Sequence, residues 1–298
     1  MDINRLINLV ATITLIEMMF TIGIGITFAD ILTVARDRRL VLRALVANYL
    51  LVPAVTLALI FLFNVQPMVA VGILIVAVCP GAPYGPPFNS IANGNVLVAV
   101  GLMVILAGTS AILAPILLGL LLPTIAAGEQ VKIDPLHMVG TLIFSQFLPL
   151  CLGLLLATRK PALARRLKNP AAKISLLLNL TTLALILAVQ FGILLQIRLR
   201  GYLGMLALVL ASALAGWILG GAGSQARKTL AISTATRNVG VGLVIATAAF
   251  PATPAIPAAT AYAIFQTLVV ALIALAWGHL AHKPKLPHPH DTLGLRPG

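Results

Sequence analysis

Long apolar runs, separated by short polar or basic stretches, fill almost the whole chain. Wound as a helix, about 20 such residues match the roughly 30 Å hydrocarbon core of a bilayer. The runs predict spans over residues 6–28, 40–62, 66–92, 96–122, 135–157, 173–195, 202–222, 228–250 and 256–277, nine in all. Pro115 and Pro149 fall inside two of them and predict kinks.

The third span cannot be one continuous helix. Pro80, Pro83, Pro86 and Pro87, with Gly81 and Gly85, stand where its middle should be. Each proline lacks a backbone donor and clashes with the preceding turn. Residues 68–79 make a half-helix of only 12 residues, about 18 Å long and too short to cross. A second half-helix is expected to start near Pro86 or Pro87, since proline is tolerated in a first turn. Irregular backbone at that depth survives only when buried in protein or lining a wet cavity, so the break, around 80–88, marks a candidate site. Tyr84, Phe88 and Asn89 are its candidate ligand contacts, while Asn93 to Asn95 read as the turn that closes it.

A second interruption is expected around 234–240, where Ser233, Thr234, Thr236, Arg237 and Asn238 precede Gly240 and Gly242. Arg237 lies nine residues beyond Lys228, about 13 Å into the bilayer. Arginine at such depth costs about 2.5–3.5 kcal/mol on insertion scales, so it should face a ligand-bearing cavity, snorkel towards the inner surface or bond exposed helix carbonyls. A helix beginning near Asn238 would present N–H groups to an anion. Thr236, Arg237 and Asn238 are therefore candidate substrate contacts. Glu17 is a carboxylate deep in the first span. Three roles are open to it: an ion pair with Arg237, a proton site for coupling, or a hydrogen bond to a neighbouring helix. Asn48 should bond across helices.

Composition strengthens the membrane reading: 60% hydrophobic and only 9% charged residues, with a mean hydropathy of +1.07. The net charge of +13 does not point to nucleic acid, because the basic residues sit in short loops between apolar runs. With the N-terminus outside, 15 of the 20 Lys and Arg fall on the inner side, which predicts an N-out, C-in protein of the plasma (inner) membrane. Cys79 and Cys151 lie in apolar segments and form neither a disulfide framework nor a zinc site. The tail carries His282, His288 and His290 among prolines and is expected to be a disordered cytoplasmic end. No catalytic motif or metal cluster emerges, so no enzyme and no cofactor is expected.

Cys79-Pro-Gly closing an apolar run, the polar break, Gly94-Asn95 opening a long helix, and Arg237-Asn238-x-Gly240 together resemble the bile acid:sodium symporter family. Residues 36–53, a basic loop leading to Asn48 and Pro53, fit as well. The resemblance implies two inverted repeats (residues 1–127 with four helices, residues 128–280 with five, and the tail 281–298), two discontinuous helices crossing near the midplane, and a core domain moving against a panel.

The sodium positions that the family implies fall on Asn48, Gly85, Pro86, Ala99, Met103, Ser233 and Arg237. Ser233 takes the place of the family's motif glutamate, and Arg237 that of its glutamine. Glycine, proline, alanine and methionine side chains give a sodium ion no oxygen ligand. The expectation is a secondary transporter of a small organic anion that works by alternating access without sodium, Arg237 standing in for the cation. The rivals are a membrane receptor or scaffold that moves nothing, and a sodium symporter with rearranged ion sites.

Overall fold

The computed structural model describes residues 3–125 and 134–281. Lys132, the expected repeat boundary at 127/128 and the three tail histidines lie outside the described residues. The chain forms α1 (Ile3–Ile24), α2 (Phe28–Arg36), α3 (Arg38–Val46), α4 (Val52–Leu62), α5 (Pro67–Ala77), α6 (Gly85–Ile91) and α7 (Val96–Ile125). There follow α8 (Pro135–Leu142), α9 (Leu148–Arg159), α10 (Pro161–Leu195), α11 (Leu199–Leu219), α12 (Ser224–Ala235), α13 (Val239–Ala249) and α14 (Ala255–Ala281). Seven helices, counting α3–α4 and α8–α9 as one each, are long and apolar enough to cross a membrane among the described residues. Among the described residues every element is helical, and the chain is a polytopic membrane protein.

Local chemistry explains the boundaries. Thr27 and Asp30 form a reciprocal cap at the start of α2: Asp30 N–H donates to Thr27 Oγ1 at 3.2 Å and Thr27 N–H to Asp30 Oδ2 at 3.0 Å. Asp37 then caps α3 by accepting from Leu40 N–H at 3.0 Å. Single π-turns, Ala47–Leu51 and Ile143–Phe147, join α3 to α4 and α8 to α9. Both π-turns precede a proline, Pro53 and Pro149, whose missing N–H disrupts the regular ladder at that point. The expected irregularity at Pro149 thus takes the form of a widened turn. Pro115 lies inside α7, an uninterrupted helix of 30 residues.

One boundary differs from expectation. The basic stretch before residue 173 reads as a loop in the sequence, yet α10 begins at Pro161 and includes Arg165, Arg166 and Lys168. Pro161 suits a first turn, and Ala, Leu, Arg and Lys are strong helix formers, so propensity carries the helix about 18 Å beyond the expected start.

Packing divides the bundle. Helix α1 lies between α9 and α10, and α7, α11 and α14 surround the short helices α5, α6, α12 and α13. Several close approaches depend on glycine. Gly23 and Gly153 pack backbone to backbone where α1 meets α9, and Gly216 lies against the backbone of Leu230 and Ala231 where α11 meets α12.

Candidate functional site at the meeting of two helix breaks

Helix α5 stops at Ala77 because Pro80 and Pro83 follow; α6 resumes at Gly85 with Pro86 and Pro87 in its first turn. Between them Gly81 has φ +85 and packs so tightly on the backbone of Met103 and Ala107 that no Cβ would fit. Helix α12 ends at Ala235 and α13 begins at Val239. The two connections touch through an isolated antiparallel bridge between Pro80 and Arg237. Asn238 N–H donates to Cys79 O at 2.7 Å, and its Nδ2 donates to Gly81 O at 3.3 Å. Asn238 Oδ1 in turn caps α13 through Val241 N–H at 3.2 Å.

Arg237 occupies the centre of this crossing and is 0% exposed. Its Nη1 donates to Ala77 O at 2.8 Å, its Nη2 to Thr234 O at 2.7 Å, and its Nε to Thr234 O at 3.2 Å. Nη2 also donates to Asn48 Oδ1. Ala77 and Thr234 belong to the last turns of α5 and α12, where carbonyls lack intrahelical partners and the helix dipole is negative. Two helix C-termini and one amide oxygen therefore converge on a single guanidinium. Gln266 of α14 clasps the Arg237 peptide from the other side, its Oε1 accepting from Arg237 N–H at 2.6 Å and its Nε2 donating to Arg237 O at 3.1 Å. Of the three placements the sequence leaves open for Arg237, bonds to exposed helix carbonyls are what this conformation displays.

Next to the crossing is a void of about 10 Å³ lined by Gly81, Ala82, Gly85, Ala99, Met103, Leu106, Ser233 and Thr236. Gly85, Ala99, Met103 and Ser233, four of the positions on which the resemblance would place sodium ligands, thus line one space; Pro86 is not among its lining residues. Ser233 Oγ accepts from Asn89 Nδ2 at 3.3 Å, and Thr236 Oγ1 donates to Ile232 O at 2.7 Å. Asn89 is fully buried, and its Oδ1 has no partner among the described residues.

A larger cavity of about 370 Å³ opens between α1 and α10 on one side and α13, α14 and the first break on the other. Tyr84, Asn238, Thr14, Asn179, Thr182, Gln266 and Thr267 supply its polar side chains, and Met18, Leu176, Leu180 and Leu243 contribute to its apolar walls. Of the residues singled out in the sequence, Tyr84 and Asn238 line this cavity. Phe88, Asn89, Thr236 and Arg237 do not: Phe88 is half-buried against the core, and the other three are buried in and beside the crossing. Glu17 does not meet Arg237. Thr21 Oγ1 donates to its Oε1 at 2.7 Å, and Ser175 Oγ of α10 donates to its Oε2, so it hydrogen-bonds a neighbouring helix.

Sequence reasoning passed over Gln266 and the α10 residue Thr182, and set Asn179 aside as a glycosylation match inside a span. Each is a polar residue within an otherwise apolar span, and that is the signal that would have found them.

A family model described as the sodium bile acid symporter family matches residues 12–197. Over 291 residues, 95% of this chain and 88% of the relative, the sequence is 24% identical to YocS of Bacillus subtilis (strain 168), described as an uncharacterized sodium-dependent transporter. Over 168 residues it is 26% identical to BASS2 of Oryza sativa subsp. japonica, a probable chloroplastic sodium/metabolite cotransporter. That match covers 56% of this chain and 39% of the rice protein. The crossing and the cavity beside it therefore sit within a chain that belongs to the sodium bile acid symporter family, whose members are transporters and not enzymes.

Proposed function

We propose that the protein is a secondary transporter of a small organic anion, independent of sodium, in which the Arg237 guanidinium takes the place of a bound cation. One observation carries this reading: three oxygens, Ala77 O, Thr234 O and Asn48 Oδ1, converge on that side chain. Oxygens gathered in this way suit a hard cation, and here five fixed N–H donors already fill the position. The adjacent void, walled mainly by glycine, alanine, leucine and methionine, has too few oxygens for a second ion.

In this reading the two interrupted pairs, α5–α6 and α12–α13, count as one crossing each. The chain then spans the bilayer nine times, as 4 + 5 inverted repeats with the N-terminus outside. The panel is α1 with α8–α10, and the remainder is the core. Substrate occupies the cavity between them, bonded by Tyr84, with Asn238 in the wall behind it. Arg237 stands one residue behind that surface and contributes positive potential through a medium of low dielectric; Phe88, Asn89 and Thr236 shape the crossing in support. The apolar walls suit an anion with a hydrocarbon body and one acidic end.

A sodium-coupled mechanism with relocated ion sites is the competing reading, favoured by the names of both relatives. Uptake into proteoliposomes separates the two. At a clamped potential, replacing sodium by potassium is expected to leave the initial rate unchanged; a steep sodium dependence overturns the proposal. Counterflow of labelled substrate distinguishes a carrier from a receptor that binds without moving its ligand.

A further inference from the structure

A separate concave basin of about 390 Å³ lies where the first turns of α3 and α12, the α11–α12 connection and the start of α7 come together. Arg39 and Arg43 line it, four positions apart on α3 and so on one face of that helix. Neither guanidinium has a hydrogen-bond or ion-pair partner among the described residues. Asp37 is the carboxylate in the wall, and its Oδ1 is already engaged by Leu40 N–H at 3.0 Å.

Asp37 is one carboxylate against two guanidinium groups, so the lining keeps a net positive charge. Beyond the Asp37 cap, helix α3 carries Arg38 and Arg39 in its first turn with no acidic residue there, although that end of a helix favours negative charge. Opposite, α12 starts after Gly223 without a side-chain cap, so its first-turn N–H groups lack the acceptor that a capping side chain supplies. The floor is kept low by Gly221, where an added Cβ would lie 2.5 Å from Arg43 Nη1. Gln225 completes the wall facing the arginines. The polar groups behind it are satisfied: Asn95 N–H donates to Thr229 Oγ1, and Thr229 Oγ1 donates to Gln225 O, both at 2.7 Å.

We propose that this basin binds a phosphate-type oxyanion, held between the two guanidinium forks and the first turn of α12. Paired arginines match the geometry of phosphate oxygens, and an open helix N-terminus adds N–H donors. Such an anion would tie α3 to the base of α12, two helices whose far ends meet at the Asn48–Arg237 contact. The ligand chemistry has two sources, the headgroup of an anionic lipid or a soluble phosphate. The proposal does not depend on what the central cavity carries.

The test uses the full chain in nanodiscs of phosphatidylcholine, with thermal unfolding as the readout. Inorganic phosphate is titrated in one arm; in the other, about a third of the lipid is replaced by phosphatidylglycerol. Saturation in either arm is expected to raise Tm by about 3–5 °C. A rise with phosphate points to the soluble source, a rise with phosphatidylglycerol alone to the headgroup, and both support the site. The Arg39→Gln/Arg43→Gln double variant should lose the rise, whereas Arg198→Gln/Arg200→Gln, at the start of α11, should keep it. Gln225→Glu retains both arginines, places a carboxylate in the first turn of α12 where it favours the helix, and should also abolish the rise. The proposal is overturned by no rise in either arm, by an equal loss in the Arg198/Arg200 control, or by a full rise in Gln225→Glu.

Discussion

The two breaks that meet at the centre are built by different means. The first, residues 78–84 between α5 and α6, is made by the backbone itself: Pro80 and Pro83 cannot donate, and Gly81 takes a φ of +85. The second, residues 236–238, is shorter and contains no proline. Side chains hold it open, with Arg237 bonding the ends of α5 and α12, Asn238 capping α13, and Gln266 of α14 clasping the Arg237 peptide. A break written into covalent structure persists whatever its neighbours do. A break written in hydrogen bonds depends on partners far away in sequence.

That contrast can be tested by removing one element at a time. The largest effect is expected from Arg237→Ala, which strands Ala77 O, Thr234 O and Asn48 Oδ1 in a dry interior at about 1–3 kcal/mol each. Uptake should vanish and thermal stability fall by at least about 3 kcal/mol, with the protein still inserted in the membrane. If the oxygens form a vacated cation position, sodium should raise the Tm of this variant and leave the parent unchanged. Unaltered uptake would assign Arg237 a purely structural role. Gln266→Leu leaves one buried N–H and one buried C=O of Arg237 unpaired, and about 2–4 kcal/mol of destabilisation is expected by the same measurement. Pro83→Ala is expected to cost least, about 0.4–1 kcal/mol through the freer unfolded chain, because Pro80 and Gly81 keep the first break in place. A larger loss from Pro83→Ala than from Gln266→Leu would reverse the comparison.

The same contrast explains what could be read in the sequence. Helix-length apolar runs announced the seven long helices, and the prolines after Ala77 announced where α5 must stop, because both signals are local. Asn238 was legible as a helix start for the same reason. The partners of Arg237 were not: Asn48, Ala77 and Thr234 are brought together by packing, and nothing in the residues near position 237 names them. Gln266 escaped because its work is done on a peptide 29 positions away. The early start of α10 is hidden because a run of charge also suits a loop, while the helix propensity of Ala, Leu, Arg and Lys decides the outcome. The two π-turns show no hydropathy change at all, being responses to a proline further along the helix.

A tethered cation differs from a dissolved one in a way that bears on energetics. A sodium ion that binds and leaves carries its own gradient into each cycle; a guanidinium fixed to the chain returns with it and brings none. Were no other ion to move, the anion would cross with its charge unbalanced, and 100 mV, negative inside, would weigh about 2.3 kcal/mol against its entry. That corresponds to an equilibrium ratio of roughly 50 in favour of the outside. Such a carrier would accumulate nothing by itself and would serve most naturally as an exit route for an acid made within the cell.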